Sequence, residues 1–452
     1  MKSSRQQVRM MSTNVREIDK SRSLYQEIDS IVPGGTHSNI RFFDPHPLWF
    51  ARAKGSKLWD VDGNEYIDCV INMSALILGH GDERVTKAVK EQLESGLTCG
   101  VETELNIRAA EKIKEMVPCA ESVKFSNSGT EAVMKAMMIA RGYTGRQKIV
   151  KLEGGYNGWH DSAAISHKPS LKKAGPRTRP RSVPENLGLL RTATRSTIVM
   201  PFNDLESAGK IIKRNRRELA AVIIEPIMFN VGCACPEEGY LKELKEIAND
   251  NDVLLIFDEI ISGFRVAPGG AQEYYGVTPD MATFAKAIAN GFPMSAVAGR
   301  ADVMRVTEPG GKVGWAGVYN GSQVCVAASL ATLEVLKNGE IQRKLNEQSA
   351  DLEKRFDKLA EEQGASARLQ ALGGQFQVYF TDEEVTDYRT AAKADSGRFR
   401  VFQAEMLRKG VYTLPITLFH HGIVAAHSHE DVERILAVMQ VGLQRVKKEF
   451  GS

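Results

Sequence analysis

The feature that most constrains this chain is a repeated alternation. Short, nearly unbroken apolar runs are separated by helical patterns. The runs are Val123-Lys124-Phe125, Ile149-Val150-Lys151-Leu152, Ala221-Val222-Ile223-Ile224, Val253-Leu254-Leu255-Ile256-Phe257 and Met281-Ala282-Thr283-Phe284. Helical stretches lie at Glu83 to Glu94, Leu105 to Met116 and Thr130 to Tyr143. A strand that is apolar on both faces is buried on both faces, which is the condition of a mostly parallel sheet covered by helices. The pattern therefore predicts an α/β core.

The flanks read differently. A short helix is expected over Ser21 to Val32, ended by Pro33-Gly34-Gly35. Lys57 to Asp68 alternates around an Asp-Gly turn, which is a hairpin signal. After a helix from Ser322 to Leu336, an α+β tail is expected. It has a helix Ile341 to Gln363, a strand Phe376 to Phe380, a helix Phe399 to Lys409, a strand Gly410 to Leu414 and a last helix Glu430 to Lys448. A length of 452 residues exceeds a single simple core. We expect an N-terminal segment and hairpin (1–75), a large domain (76–335) and a small α+β domain (336–452).

A net charge of +3 gives no reason to expect nucleic acid or an anionic membrane as the main partner. No apolar run is long enough to span a bilayer. Met1 to Lys20 lacks the apolar region of a secretory signal. The six cysteines are scattered without CxxC pairs, which argues for plain thiols, no metal site and a reducing, cytoplasmic setting. The loop between His167 and Pro184 carries six Lys and Arg residues and no acid. It reads either as a solvated surface loop or as a lid that attracts an anionic substrate.

Three motifs carry chemistry. The run Val253 to Phe257 ends in Asp258-Glu259, and ligands of open α/β sheets sit beyond the carboxyl ends of the strands. Lys286 follows the run Met281 to Ala285, where burial would keep its amine neutral and nucleophilic. Ser126-Asn127-Ser128-Gly129-Thr130-Glu131 opens a helix after a strand, with a capping box and a glycine, so its N–H groups can cradle a phosphate. A phosphate cradle, a strand-end Asp and a strand-end Lys, in that order, suit pyridoxal 5'-phosphate (PLP).

The segment Ile256 to Arg265, followed by Gln272 to Asp280 and Lys286, resembles the signature of class III aminotransferases. It is similar to glutamate-1-semialdehyde aminomutases and to transaminases of β-amino acids and D-phenylglycine. The resemblance runs from about Pro33 to the last helix. It implies PLP-dependent transferase fold type I, with a mostly parallel seven-stranded sheet, a smaller α+β domain and a homodimer whose active sites lie at the interface. Lys286 would be the Schiff-base lysine and Asp258 the partner of the ring nitrogen. Ser128, Gly129 and Thr130 would bind the phosphate. Tyr156 and Ile260 would flank the ring, and Asn230 would reach its phenolic oxygen. Arg41, with Ser38, falls where the family clamps a substrate carboxylate, and Met73 falls in the substrate pocket.

The chain also departs from the aminomutase pattern. Met73 replaces a tryptophan, Val318 replaces a threonine that reaches the partner's phosphate, and Asn157 follows Tyr156 where histidine is usual. Phe419-His420-His421 stands where the aminomutase carries an acid. These departures favour transamination, by a ping-pong exchange through pyridoxamine phosphate, between a carboxylate-bearing amino donor and a keto acid acceptor. An aminomutase or a racemase/epimerase on the same fold is the alternative.

Overall fold

The computed structural model describes residues 18–96 and 100–451. Cys99 and most of the segment Met1 to Lys20 lie outside them. Fourteen strands occur among the described residues. They are β1 (Phe50–Lys54), β2 (Lys57–Asp60), β3 (Glu65–Asp68), β4 (Ser122–Ser126), β5 (Lys148–Leu152), β6 (Thr197–Met200), β7 (Leu219–Ile224), β8 (Leu254–Asp258), β9 (Met281–Phe284), β10 (Ser295–Gly299), β11 (Arg368–Leu372), β12 (Gln375–Tyr379), β13 (Val411–Tyr412) and β14 (His421–Gly422).

Seven strands form the central sheet in the order β4-β10-β9-β8-β7-β5-β6. Only β10 runs against the others. The expected apolar runs became β4, β5, β7, β8 and β9. Every residue of β7, β8, β9 and β10 is buried. Burying an aliphatic side chain fully contributes roughly 1.5–3 kcal/mol, so these strands anchor the core. Two strands lie outside the runs named above. Ser295-Ala296-Val297-Ala298-Gly299 (β10) is made of small residues, whereas Thr197 to Met200 (β6) is an edge strand whose apolar run is as long as that of β9.

The flanking sheets tie distant parts of the chain together. β1, β2 and β3 form an antiparallel meander, and β13 joins β3 in parallel. The hairpin turns at Gly63, whose φ of 92° suits glycine. Asp60 accepts the N–H groups of Asp62 and Asn64. Asp62 in turn accepts those of Lys20 and Ser21, at the start of the helix Asp19–Asp29. β11, β12 and β14 make a third small sheet, and the two-residue β14 had no signal in the sequence. The tail helices Glu340–Gln363, Ser396–Arg408 and Phe450-ending His429–Phe450 lie within a few residues of their expected bounds.

The basic loop is anchored to the body. Arg389 donates to Gly175 O and pairs with Glu153 at 2.7 Å, and Arg177 pairs with the buried Asp387 at 2.9 Å. Arg181 N donates to Ala174 O. Among the described residues no helix is long and apolar enough to cross a membrane.

Candidate active site

The chemistry-bearing residues gather where the parallel strands end. β8 and β9 pair in register, with Asp258 opposite Thr283. Asp258 is therefore the last residue of its strand, and Lys286 follows the neighbouring strand by two residues. Glu225 comes directly after β7, and Tyr156-Asn157 lie in the loop after β5. On the far side β4 leads into Ser128 and the helix Gly129–Thr144. The carboxyl end of the sheet thus carries five candidate segments.

Asp258 is buried and accepts three bonds from neutral donors. These are Asn157 Nδ2 at 2.7 Å, Ile260 N at 3.2 Å and Thr283 Oγ1 at 3.2 Å. Burial pushes its carboxyl up to about 6, against the pull of those donors. Glu259 does unrelated work. It points into the core and accepts from Ala271 N, Gln272 and Ser262, which fixes the loop after the strand.

Lys286 sits at φ +51°, a left-handed conformation that costs a non-glycine residue about 1–2 kcal/mol. Its amine is pulled down to about 8, first by burial and then by the nearby Arg265 cation; Glu225 and Asp258 act in the opposite sense. Glu225 is itself buried and pushed up to about 7 by burial and by Asp258. It accepts from Tyr156 N at 2.8 Å and from Asn230 Nδ2 at 2.9 Å. Asn230 and Tyr156 are therefore brought to one carboxylate.

Ser128 is the N-cap of its helix and accepts from Glu131 N. The N–H groups of Gly129 and Thr130 find no backbone acceptor among the described residues. A Cβ on Gly129 would stand 3.0 Å from Ile260 Cδ1, so Ile260 closes over the helix start. A Cβ on Gly158 would stand 3.0 Å from Thr130. The cradle is thus walled by close packing at two glycines. The Tyr156 ring rests 4.9 Å from the His167 ring, at the root of the basic loop.

The substrate candidates lie on the N-terminal segment and on the turn after β3. Arg41 is exposed at the end of the short 3-10 helix Asn39–Arg41, and its N–H donates to Ser38 O. No ion pair engages Arg41 among the described residues. Ser38 contributes its carbonyl, which accepts from Arg41 N and from the Thr36 hydroxyl. Met73 packs against the buried cluster of Val70, Leu414 and Phe419, as do Ile40 and Phe43. Phe419 stacks on His420 at 4.6 Å, and His420 feels the charge of Lys286.

The chain matches the family model of class-III aminotransferases over residues 42–426. This chain belongs to the class-III aminotransferase family. A glutamate-1-semialdehyde 2,1-aminomutase of Methanocaldococcus jannaschii is 40% identical over 424 residues, 94% of this chain and 98% of that one. An omega-transaminase from Sphaerobacter thermophilus superposes with a TM-score of 0.90 at 33% identity, covering 94% of this chain and 98% of that one. A transaminase solved with PLP bound superposes with a TM-score of 0.87 at 27% identity, covering 96% and 100%. The protein is a PLP-dependent enzyme of fold type I. Further relatives, from Methanosarcina acetivorans and Methanothermobacter thermautotrophicus, are likewise named glutamate-1-semialdehyde 2,1-aminomutases.

The residues of the site fit PLP. A buried carboxylate held only by neutral donors suits a protonated ring nitrogen. Free N–H groups at a helix start suit a phosphate. A lysine with a lowered pKa suits an aldehyde.

Sequence reasoning missed four contributors. Glu225 is a strand-end acid like Asp258, and the same signal was there to be read. Asn157 was noted as a departure and is the donor to Asp258. Arg265 and His420 gave no sign of burial next to Lys286.

Proposed function

We propose that the protein moves an amino group within one small carboxylate-bearing substrate, as an aminomutase of the glutamate-1-semialdehyde type. The supporting observation is the near-full-length similarity to aminomutases, at 40% identity, on a site with every ionisable group that PLP needs.

Lys286 is the residue assigned to carry PLP. When bound, PLP supplies an aldehyde for the substrate amine and a ring that accepts the electron pair left at the substrate carbon. Asp258 would hold the proton on the ring nitrogen, and its Asn157 bond fixes the carboxylate plane for that task. Ser128, Gly129 and Thr130 would hold the phosphate, with Tyr156 and Ile260 on either side of the ring. Asn230, oriented by Glu225, would donate to the phenolic oxygen. Lys286, once its amine is released, would take the proton from the substrate carbon and return it to another atom. An amine poised near about 8 can do both. Arg41 would hold the substrate carboxylate, with Ser38 beside it, since a guanidinium fork matches a carboxylate. Met73 would limit the substrate's size.

We further propose a cytoplasmic homodimer. Val318 and Tyr319 are 66% and 65% exposed, although their segment is bonded to the cradle through Asn320 and Asn127. Apolar side chains left exposed there suit a second copy completing the site. The division at 75/76 and 335/336 is supported by the three separate sheets, with β13 of the tail bridging to the N-terminal meander.

A second reading, an intermolecular transaminase, is favoured by Met73 and by Phe419-His420-His421, which replace side chains of the aminomutase pattern. The test is to give the holoenzyme glutamate-1-semialdehyde without a keto acid. Catalytic formation of the isomer with its amino group moved from carbon 2 to carbon 1 is the expected result. Turnover only with a keto acid, yielding an equimolar amount of the new amino acid, would replace it with the transaminase.

A further inference from the structure

The segment after β3 has an unusual backbone. Ile71, Asn72, Met73 and Ser74 have φ values of 45°, 54°, 56° and 62°. They form one turn of left-handed helix without a glycine. Each such residue costs on the order of 1–2 kcal/mol, so the turn persists only if its surroundings impose it.

Four sets of contacts do so. Asp68 accepts from Val70 N and Ile71 N at 2.8 and 3.0 Å. Asn290, four residues after Lys286, accepts from Ile77 N and Leu78 N, both at 3.0 Å. Between them Arg265 Nη2 donates to Ser74 O at 2.6 Å and to Leu76 O at 3.1 Å. The Ser74 hydroxyl also donates to Gln375 Oε1.

Arg265 is fully buried. Its Nε donates to Ile261 O, its Nη1 has no partner, and no carboxylate pairs with it among the described residues. A buried cation without a counter-ion is a costly way to satisfy two carbonyls, which a neutral amide could do. Arg265 lies seven residues beyond Asp258, on the loop that Glu259 fixes. Its charge is felt at Lys286 and at His420. Met73, on the turn it grips, packs against the cluster of Val70, Leu414 and Phe419, and Phe419 stacks on His420.

We propose that Arg265 is a positioning residue that holds the left-handed turn Ile71–Ser74 against the Lys286 pocket, so that the size of the accepted amino substrate is set partly from inside the core. The proposal rests on the amino-group reading above. Arg265 touches no substrate; it acts through Met73.

The test uses the holoenzyme variants Arg265→Lys, Met73→Ala and their double mutant. The reading is the ratio of kcat/KM for a long over a short carboxylate-bearing amino compound, together with hydrogen exchange across residues 70–78. Arg265→Lys should raise this ratio by about tenfold, mainly through KM, the scale of a one- or two-methylene change in pocket size. It should speed exchange in that segment alone. In the Met73→Ala background it should change the ratio no further. A uniform fall in kcat with an unmoved ratio, or additive effects in the double mutant, would overturn the proposal. Should Arg265→Lys fail to fold, Ser74→Ala removes another contact and leaves every charge in place. It should move the ratio in the same direction, and an unmoved ratio there also overturns the proposal. If the wild type turns over no carboxylate-bearing amine, the amino-group reading fails instead, and the exchange measurement still decides whether Arg265 holds the turn.

Discussion

Asn157 donates its side-chain amide to Asp258 Oδ2 at 2.7 Å, and both side chains are buried. The bond fixes the orientation of a strand-end acid that faces the site. Replacing Asn157 by Ala removes a charge-assisted bond and leaves part of a buried carboxylate unsatisfied. The cost should be about 1–3 kcal/mol. Cofactor affinity, measured by fluorescence titration of the apoprotein, should fall by about tenfold or more. Unchanged affinity would mean that Asp258 needs no such support.

The acid pair Asp258 and Glu225 should leave a mark on stability against pH. In the folded apoprotein they are held up to about 6 and about 7. The unfolded chain releases those protons at ordinary carboxylate values. Their contribution is therefore present at low pH and is lost as pH rises through those two values. Asp258→Asn removes one share. Its stability advantage over wild type should grow between about pH 4 and 7 by on the order of 2 kcal/mol. Urea unfolding of both apoproteins across that range reads it. An advantage that shrinks with pH would show that Asp258 is not held protonated.

Glu225→Gln keeps the shape of the side chain and removes its charge. Glu225 favours the charged form of Lys286 and opposes that of Asp258. The variant should lower the apparent pKa of both groups. Competitive acetylation of Lys286 in the apoprotein, followed by peptide mass spectrometry, should show half-reaction at a lower pH than wild type. A shift upward would contradict the electrostatic assignment.

Arg41→Ala tests the carboxylate site. KM should rise by about tenfold or more for carboxylate-bearing compounds, and little for a plain amine, given the strength of a guanidinium–carboxylate pair. Equal effects on both would remove Arg41 from substrate binding.

Much of the sheet was legible because burial on both faces leaves apolar runs that periodicity detects. β10 was not, because small residues carry no such signal. Lys286, Asp258 and the Ser128 cradle were legible because each ends a strand or opens a helix. The left-handed turn at Ile71–Ser74 was not. Of Ile-Asn-Met-Ser only Asn adopts positive φ readily, and contacts up to three hundred residues away in sequence impose it on all four. Arg265 was hidden for a similar reason: an arginine reads as a surface residue until the fold closes over it. Composition alone allows the basic loop two roles. Its ties to Arg389 and Asp387 bind it to the body.

The central claim is that Lys286 carries the cofactor, and two other lysines provide the control. Lys151 is fully buried and is also drawn down to about 8 by that burial, whereas Lys168 lies exposed at the root of the basic loop. Lys151 is committed to Gly155 O and Ile165 O at 2.7 and 2.6 Å, so its amine is occupied. Loading the protein with PLP, reducing it with borohydride and mapping the pyridoxyl group by peptide mass spectrometry tests the claim directly. The label should sit on Lys286 alone and vanish in Lys286→Ala. A label on Lys151 or Lys168, or one that survives Lys286→Ala, would contradict it.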